Sequence, residues 1–166
     1  MYRSLLILFS LFLFSQCEQV ILEQEEVEES SELGGNINSE LAPFFITFQE
    51  EARRYGLEID YESSNVTAQL EQINNGNVAG TCTTNSHNLR DIVIDQSFWD
   101  RASPLLREMV IFHELGHCVL GRGHFEGQFN NGVCQSIMRS GLGSCIDAYN
   151  ANNRDYFIDE LFLESD

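Results

Sequence analysis

The chain has 166 residues, of which 26 are acidic and 9 basic, giving a formal net charge of −17. So few cations exclude a nucleic-acid-binding role, which needs lysine and arginine clustered against phosphates; the field instead favours a neutral or cationic substrate. With 43% hydrophobic residues, the chain can bury one core of ordinary domain size.

Residues 1–16 read as an export signal. Arg3 makes a short basic start, and Leu5 to Phe14 is an apolar stretch too short to span a membrane. Cys17 stands directly at its end. This arrangement resembles a bacterial lipoprotein signal, although Gln16 occupies a place where small residues are usual. The resemblance implies that Cys17 is lipidated and anchors the exported chain to the membrane, at the cell envelope or surface. The alternative is an ordinary secretory signal with a free Cys17. Residues 17–39 follow as an acidic, flexible tether. Glu23, Glu25, Glu26, Glu28, Glu29 and Glu32 repel one another, and Gly34-Gly35-Asn36 closes the segment.

The folded domain is expected over residues 40–166. Leu41, Phe44, Phe45, Phe48, Ala52 and Tyr55 recur every three or four residues, which predicts an amphipathic helix to about Arg54, ended by Gly56. Leu57 to Tyr61 alternates and reads as a strand. Val66 to Ile73 reads as another, and Asn74-Asn75-Gly76 signals a hairpin returning along Val78 to Thr84. Arg90 to Asp95 is a short apolar strand. Ser103 and Pro104 mark a helix start, as N-cap and first helical residue, and Gly121 suits a left-handed stop. The stretch from His124 to Asn131 is loop. A last helix is expected with Asn153 as its cap and Tyr156, Phe157, Leu161 and Phe162 facing inwards. Asn65-Val66-Thr67 matches a glycosylation acceptor and carries little weight after a bacterial-type signal. His87, in a polar turn, reads as a surface histidine. Composition and pattern alone give a small α+β domain.

The chemistry lies in His113-Glu114-Leu115-Gly116-His117, on the helix that begins at Pro104. Residues four apart share one helix face, so His113 and His117 can grip one metal ion while Glu114 reaches a water beside it. The helix is apolar on several sides, and buried polar groups there need partners. A metal supplies them. A stop at Gly121 lets His124 return as a third ligand. Glu126 and Asp147 are the alternatives for that place.

This stretch resembles the zincin metallopeptidases, in particular the metzincins, whose signature is HExxHxxGxxH followed by a methionine turn. Here the glycine and third histidine come one residue late, as HExxHxxxGxxH. Ser136-Ile137-Met138-Arg139-Ser140 resembles the methionine turn, which implies that Met138 forms a soft floor under the ligands. The resemblance implies a zincin-like α+β fold: a small twisted mixed sheet, a central metal-binding helix and a C-terminal helix. It further implies a Zn²⁺-dependent endopeptidase acting on peptide or protein substrates, with a metal-activated water and Glu114 as general base. Tyr149 is too far beyond Met138 to take the oxyanion role of some metzincin tyrosines. A catalytically silent, zinc-stabilised binding or adhesion lipoprotein is the second reading, and a chance motif in a disulfide-held domain the third. A monomer is favoured.

Cys82, Cys118, Cys134 and Cys145 form an even set in an exported chain, which reads as two disulfides with three connectivities. The favoured pairing is Cys134–Cys145, closing the Met138 loop, with Cys82–Cys118 tying a strand to the motif helix. Metal ligation by these cysteines lacks the usual CxxC spacing.

Overall fold

The computed structural model describes residues 33, 35–74, 76–141 and 143–163. The predicted signal at 1–16, Cys17 and most of the acidic tether lie outside the described residues. The elements run β1 (Asn36–Ile37), α1 (Ala42–Arg54), β2 (Val66–Glu71), β3 (Gly80–Thr84), β4 (Arg90–Asp95), α2 (Gln96–Arg101), α3 (Pro104–Cys118), a 3₁₀ turn (Gly143–Cys145) and α4 (Arg154–Leu163). This is an α+β fold.

The four strands form one mixed sheet in the order β1-β2-β4-β3. β4 lies inside the sheet; Ile92 and Ile94 share one fully buried face, and Val93 on the other is half-buried. It pairs in parallel with β2, from Val66 opposite Arg90 to Glu71 opposite Asp95. β3 runs antiparallel on its other side, from Gly80 opposite Ile94 to Thr84 opposite Arg90. The expected hairpin between residues 66–73 and 78–84 is therefore absent. Asp95 explains why the chain does not turn straight back after β2, since its carboxylate accepts from Ile73 N and Gln72 Nε2. The hairpin lies instead between β3 and β4. Asn85 closes it by accepting from His87 N and Leu89 N, and Asn88 sits at φ 63°, a left-handed position that asparagine tolerates.

Other expectations also shift. Leu57 to Tyr61 forms no strand. Its alternation is met by irregular chain: Gln49 Nε2 donates to Ile59 O, Tyr61 is fully buried with its hydroxyl on Phe45 O, and Asp60 caps the following turn through Glu62 N and Ser63 N. The folded part begins before residue 40, because β1 pairs in parallel with β2 and Leu33 is buried. α2 has no counterpart in the expected elements; Asp95 caps it by accepting from Phe98 N. On α4, Phe157, Leu161 and Phe162 are buried as expected, whereas Tyr156 is 43% exposed and packs against Phe129.

The core lies between the sheet and the helices. α3 packs on β3 and β4 and against α1. Phe48 of α1 meets Phe112 of α3 and Phe162 of α4, each with ring centres 5.0 Å apart. α4 is also tied down by charge, as Arg154 pairs with Glu108 of α3 and Glu51 of α1 at 2.7 Å. Both expected disulfides form, Cys82–Cys118 and Cys134–Cys145. The first fastens β3, an edge strand, to the last residue of α3. No helix among the described residues is long and apolar enough to cross a membrane.

Candidate metal centre

α3 starts and stops where its sequence dictates. Ser103 Oγ accepts from Leu106 N, and Pro104 takes the first helical position. At the other end Gly121 adopts φ 69° and Arg122 N bonds back to Gly116 O. That closure spans seven residues, and glycine bears the left-handed turn within it. The residue inserted before the glycine is absorbed by the helix end, and the chain still returns His124 to the helix face.

The three histidines converge. Their ligand atoms all lie within 4.8 Å of one another, and His113, His117 and His124 form the only such group of candidate ligands among the described residues. Each helix histidine is oriented from behind. His113 Nδ1 donates to Ile137 O, and His117 Nδ1 to Arg122 O, both at 2.6 Å. Those bonds place the proton of each neutral ring on Nδ1, so both Nε2 lone pairs point into the site. The two Nε2 atoms face each other at 3.0 Å. Two lone pairs at that distance repel unless a cation lies between them. Zinc–nitrogen bonds of about 2.0–2.1 Å at a tetrahedral angle would set them about 3.3 Å apart, so a small adjustment suffices. Burial lowers the His113 pKa to about 4 and that of His117 below its usual value. Both rings are therefore neutral at pH 7.

Glu126 and Asp147 do not join this group. Glu126 accepts from Ser140 N and faces Arg139. Asp147 lines a separate hollow with Phe129, Val133 and Tyr156.

Glu114 is 5% exposed, and no hydrogen bond from the described residues reaches its carboxyl. Burial alone raises its pKa to about 8. A Cβ on Gly80 of β3 would come within 2.8 Å of Glu114 Oε1, so glycine is what gives the carboxylate room. Met138 is fully buried behind the same helix, and any side chain at Gly116 would overlap its sulfur. Ser136 Oγ accepts from Met138 N at 2.9 Å, and Met138 O accepts from Phe125 N. The methionine loop thus holds the His124 segment and, through Ile137 O, the His113 ring.

A cleft of about 430 Å³ opens over the histidines. β3 and the chain leading into it form one wall, α3 the floor through Met109 and Val110, and Ile137, Arg139 and Gly141 the opposite side. Tyr149 does not line it; its hydroxyl donates to Glu108 at 2.5 Å. His87 lies apart, in the exposed β3–β4 turn.

The sequence carries no direct sign of the roles of Arg122 and Gly80, and only an indirect one of that of Gly116. Their roles come from neighbours distant in the chain. The one legible hint was a glycine inside a buried helix, which costs about 1 kcal/mol against alanine and calls for a packing reason. Comparison with protein-family models, with curated proteins and with solved structures gives no match to this chain.

Proposed function

We propose that the protein is a zinc-dependent endopeptidase of zincin type. The observation that carries this reading is the pair of Nε2 lone pairs facing each other at 3.0 Å, joined by His124 and set beside the Glu114 carboxylate, which no described residue hydrogen-bonds. That donor set suits zinc: three imidazole nitrogens with room for further ligands. His113, His117 and His124 would hold the ion, which supplies a Lewis acid that acidifies water and polarises a scissile carbonyl.

The remaining chemistry belongs to the chain. Glu114 takes the proton of the attacking water and returns it to the leaving amine. Its apolar surroundings keep its basicity high enough to do so near neutral pH. Ile137 O and Arg122 O keep the two helix imidazoles turned towards the ion. Among the described residues β3 pairs with β4 alone, so its outer edge is free to offer backbone groups along the cleft. An extended peptide can add there as a strand, fixing its carbonyl over the site. The Cys82–Cys118 bridge holds that edge against α3.

A site serving stability alone gains nothing from Glu114, since burial disfavours its charged form. This weighs against a silent zinc-held binding module. Two disulfides suit an oxidising compartment, which supports export of the chain and, with the signal-like start, a lipid anchor at Cys17. The test is hydrolysis of casein and of a mixed peptide library by zinc-loaded protein. Cleavage abolished by a chelator, restored by zinc and lost in Glu114→Gln supports the reading; zinc uptake without cleavage of any peptide would leave the binding module.

A further inference from the structure

We propose that Arg122 is a positioning residue for His117, making the C-terminal helix α4 part of the metal centre. The inference rests on the metal site proposed above, but the contact itself belongs to the metal-free chain.

Arg122 works at both ends. Its carbonyl accepts from His117 Nδ1 at 2.6 Å and so fixes the ring's tautomer and direction. Its guanidinium reaches the other way. Nη1 donates to Glu160 O at 3.0 Å and Leu161 O at 3.1 Å, and Nη2 pairs with Glu160 Oε1 at 2.6 Å. The first two acceptors are carbonyls of the last turn of α4, which have no partner within the helix. The ion pair is enclosed, with the two side chains 9% and 7% exposed. A planar fork matches this divergent set of acceptors, and a lysine cannot. Leu161 also packs towards Gly116, so α4 supports the metal helix beside the same residue. Gly121 turns the chain so that Arg122 O meets His117. Without the guanidinium anchor, nothing but that turn holds the carbonyl in place.

The test uses two readouts on the whole protein. In the metal-free state at pH 7.5, long-range proton–nitrogen NMR correlations report the His117 tautomer. In titrations with zinc alone, competition with a chelator gives the affinity. Wild type should hold His117 in the Nδ1–H form. Arg122→Ala should mix the tautomers and weaken zinc about 10–100-fold, the usual effect of removing a ligand's supporting shell. Arg122→Lys should recover part of both. Arg154→Met is the control: it removes the other ion-pair anchor of α4, so it should lower the melting temperature and leave tautomer and affinity unchanged. Equal effects of Arg154→Met and Arg122→Ala on the two readouts, or no effect of Arg122→Ala, would overturn the proposal. Should Arg122→Ala fail to fold, Arg122→Lys and Glu160→Gln carry the test, and wild-type values in both would equally overturn it. If wild type takes up no zinc, the tautomer still decides the role of Arg122, and the failure falls on the metal reading alone.

Discussion

Replacing Glu114 with glutamine should make the metal-free protein more stable while removing its activity. Burial raises the Glu114 pKa from 4.5 to about 8. A raised carboxyl pKa means that the folded state binds more protons than the unfolded chain between those two values. Stability from this group is therefore fully present below pH 4.5 and is lost as pH rises through about 8. Each pH unit of that rise is worth about 1.4 kcal/mol, so the charged carboxylate costs the metal-free protein about 5 kcal/mol at pH 8 and above. Glutamine keeps the shape and never ionises. Urea unfolding of both proteins in chelator, from pH 5 to pH 8.5, reads the difference directly. The histidines titrate in both proteins and largely cancel in the comparison. Glu114→Gln should gain on wild type by several kcal/mol across that range, and zinc-loaded Glu114→Gln should lose about 10²–10⁴ in kcat. Parallel stability curves would refute the placement of Glu114 in an apolar, partnerless site.

Further outcomes follow from the same geometry. Gly116→Ala pushes a methyl into the Met138 sulfur and should cost about 1–3 kcal/mol as an overpacked core; it should also weaken zinc binding, because the Met138 loop carries the Ile137 carbonyl. Cys82→Ala with Cys118→Ala should destabilise by about 3–4 kcal/mol, from the 36-residue separation it releases, and should raise KM more than it lowers kcat, since β3 is a cleft wall; unchanged KM would place substrate elsewhere. In a metal-free Glu114→Gln background, acidification from pH 6.5 towards 4 should destabilise the fold, because His113 has a depressed pKa of about 4 and the unfolded chain binds its proton first. Denaturation midpoints that stay flat over that window would contradict the burial of His113.

Local signals were legible where one residue does one job. Ser103 and Pro104 marked the start of α3, Gly121 the left-handed turn just past its end at Cys118, and the spacing of His113, His117 and His124 their convergence. The sheet order was not legible. Asn74-Asn75-Gly76 is a sound turn signal, yet strand partners are chosen by burial, and β4, with its buried Ile92 and Ile94 face, took the place beside β2. Asp95 hid α2 because it serves two neighbours at once, holding the end of β2 and capping the next helix. Tyr156 was misplaced because its ring meets Phe129 and its hydroxyl donates to Gln135 O at the surface, contacts with loop residues that helical spacing does not reveal. Arg122, Gly80 and Gly116 act only through residues brought near by folding, so no spacing could reveal them.

The most direct test of the central claim is metal content by elemental analysis of purified wild type beside His124→Ala and Glu114→Gln. The three-histidine site predicts one zinc per wild-type chain, zinc lost or much weakened in His124→Ala, and full zinc in Glu114→Gln. A well-folded wild type without stoichiometric metal would contradict the site, and full zinc in His124→Ala would remove His124 from it.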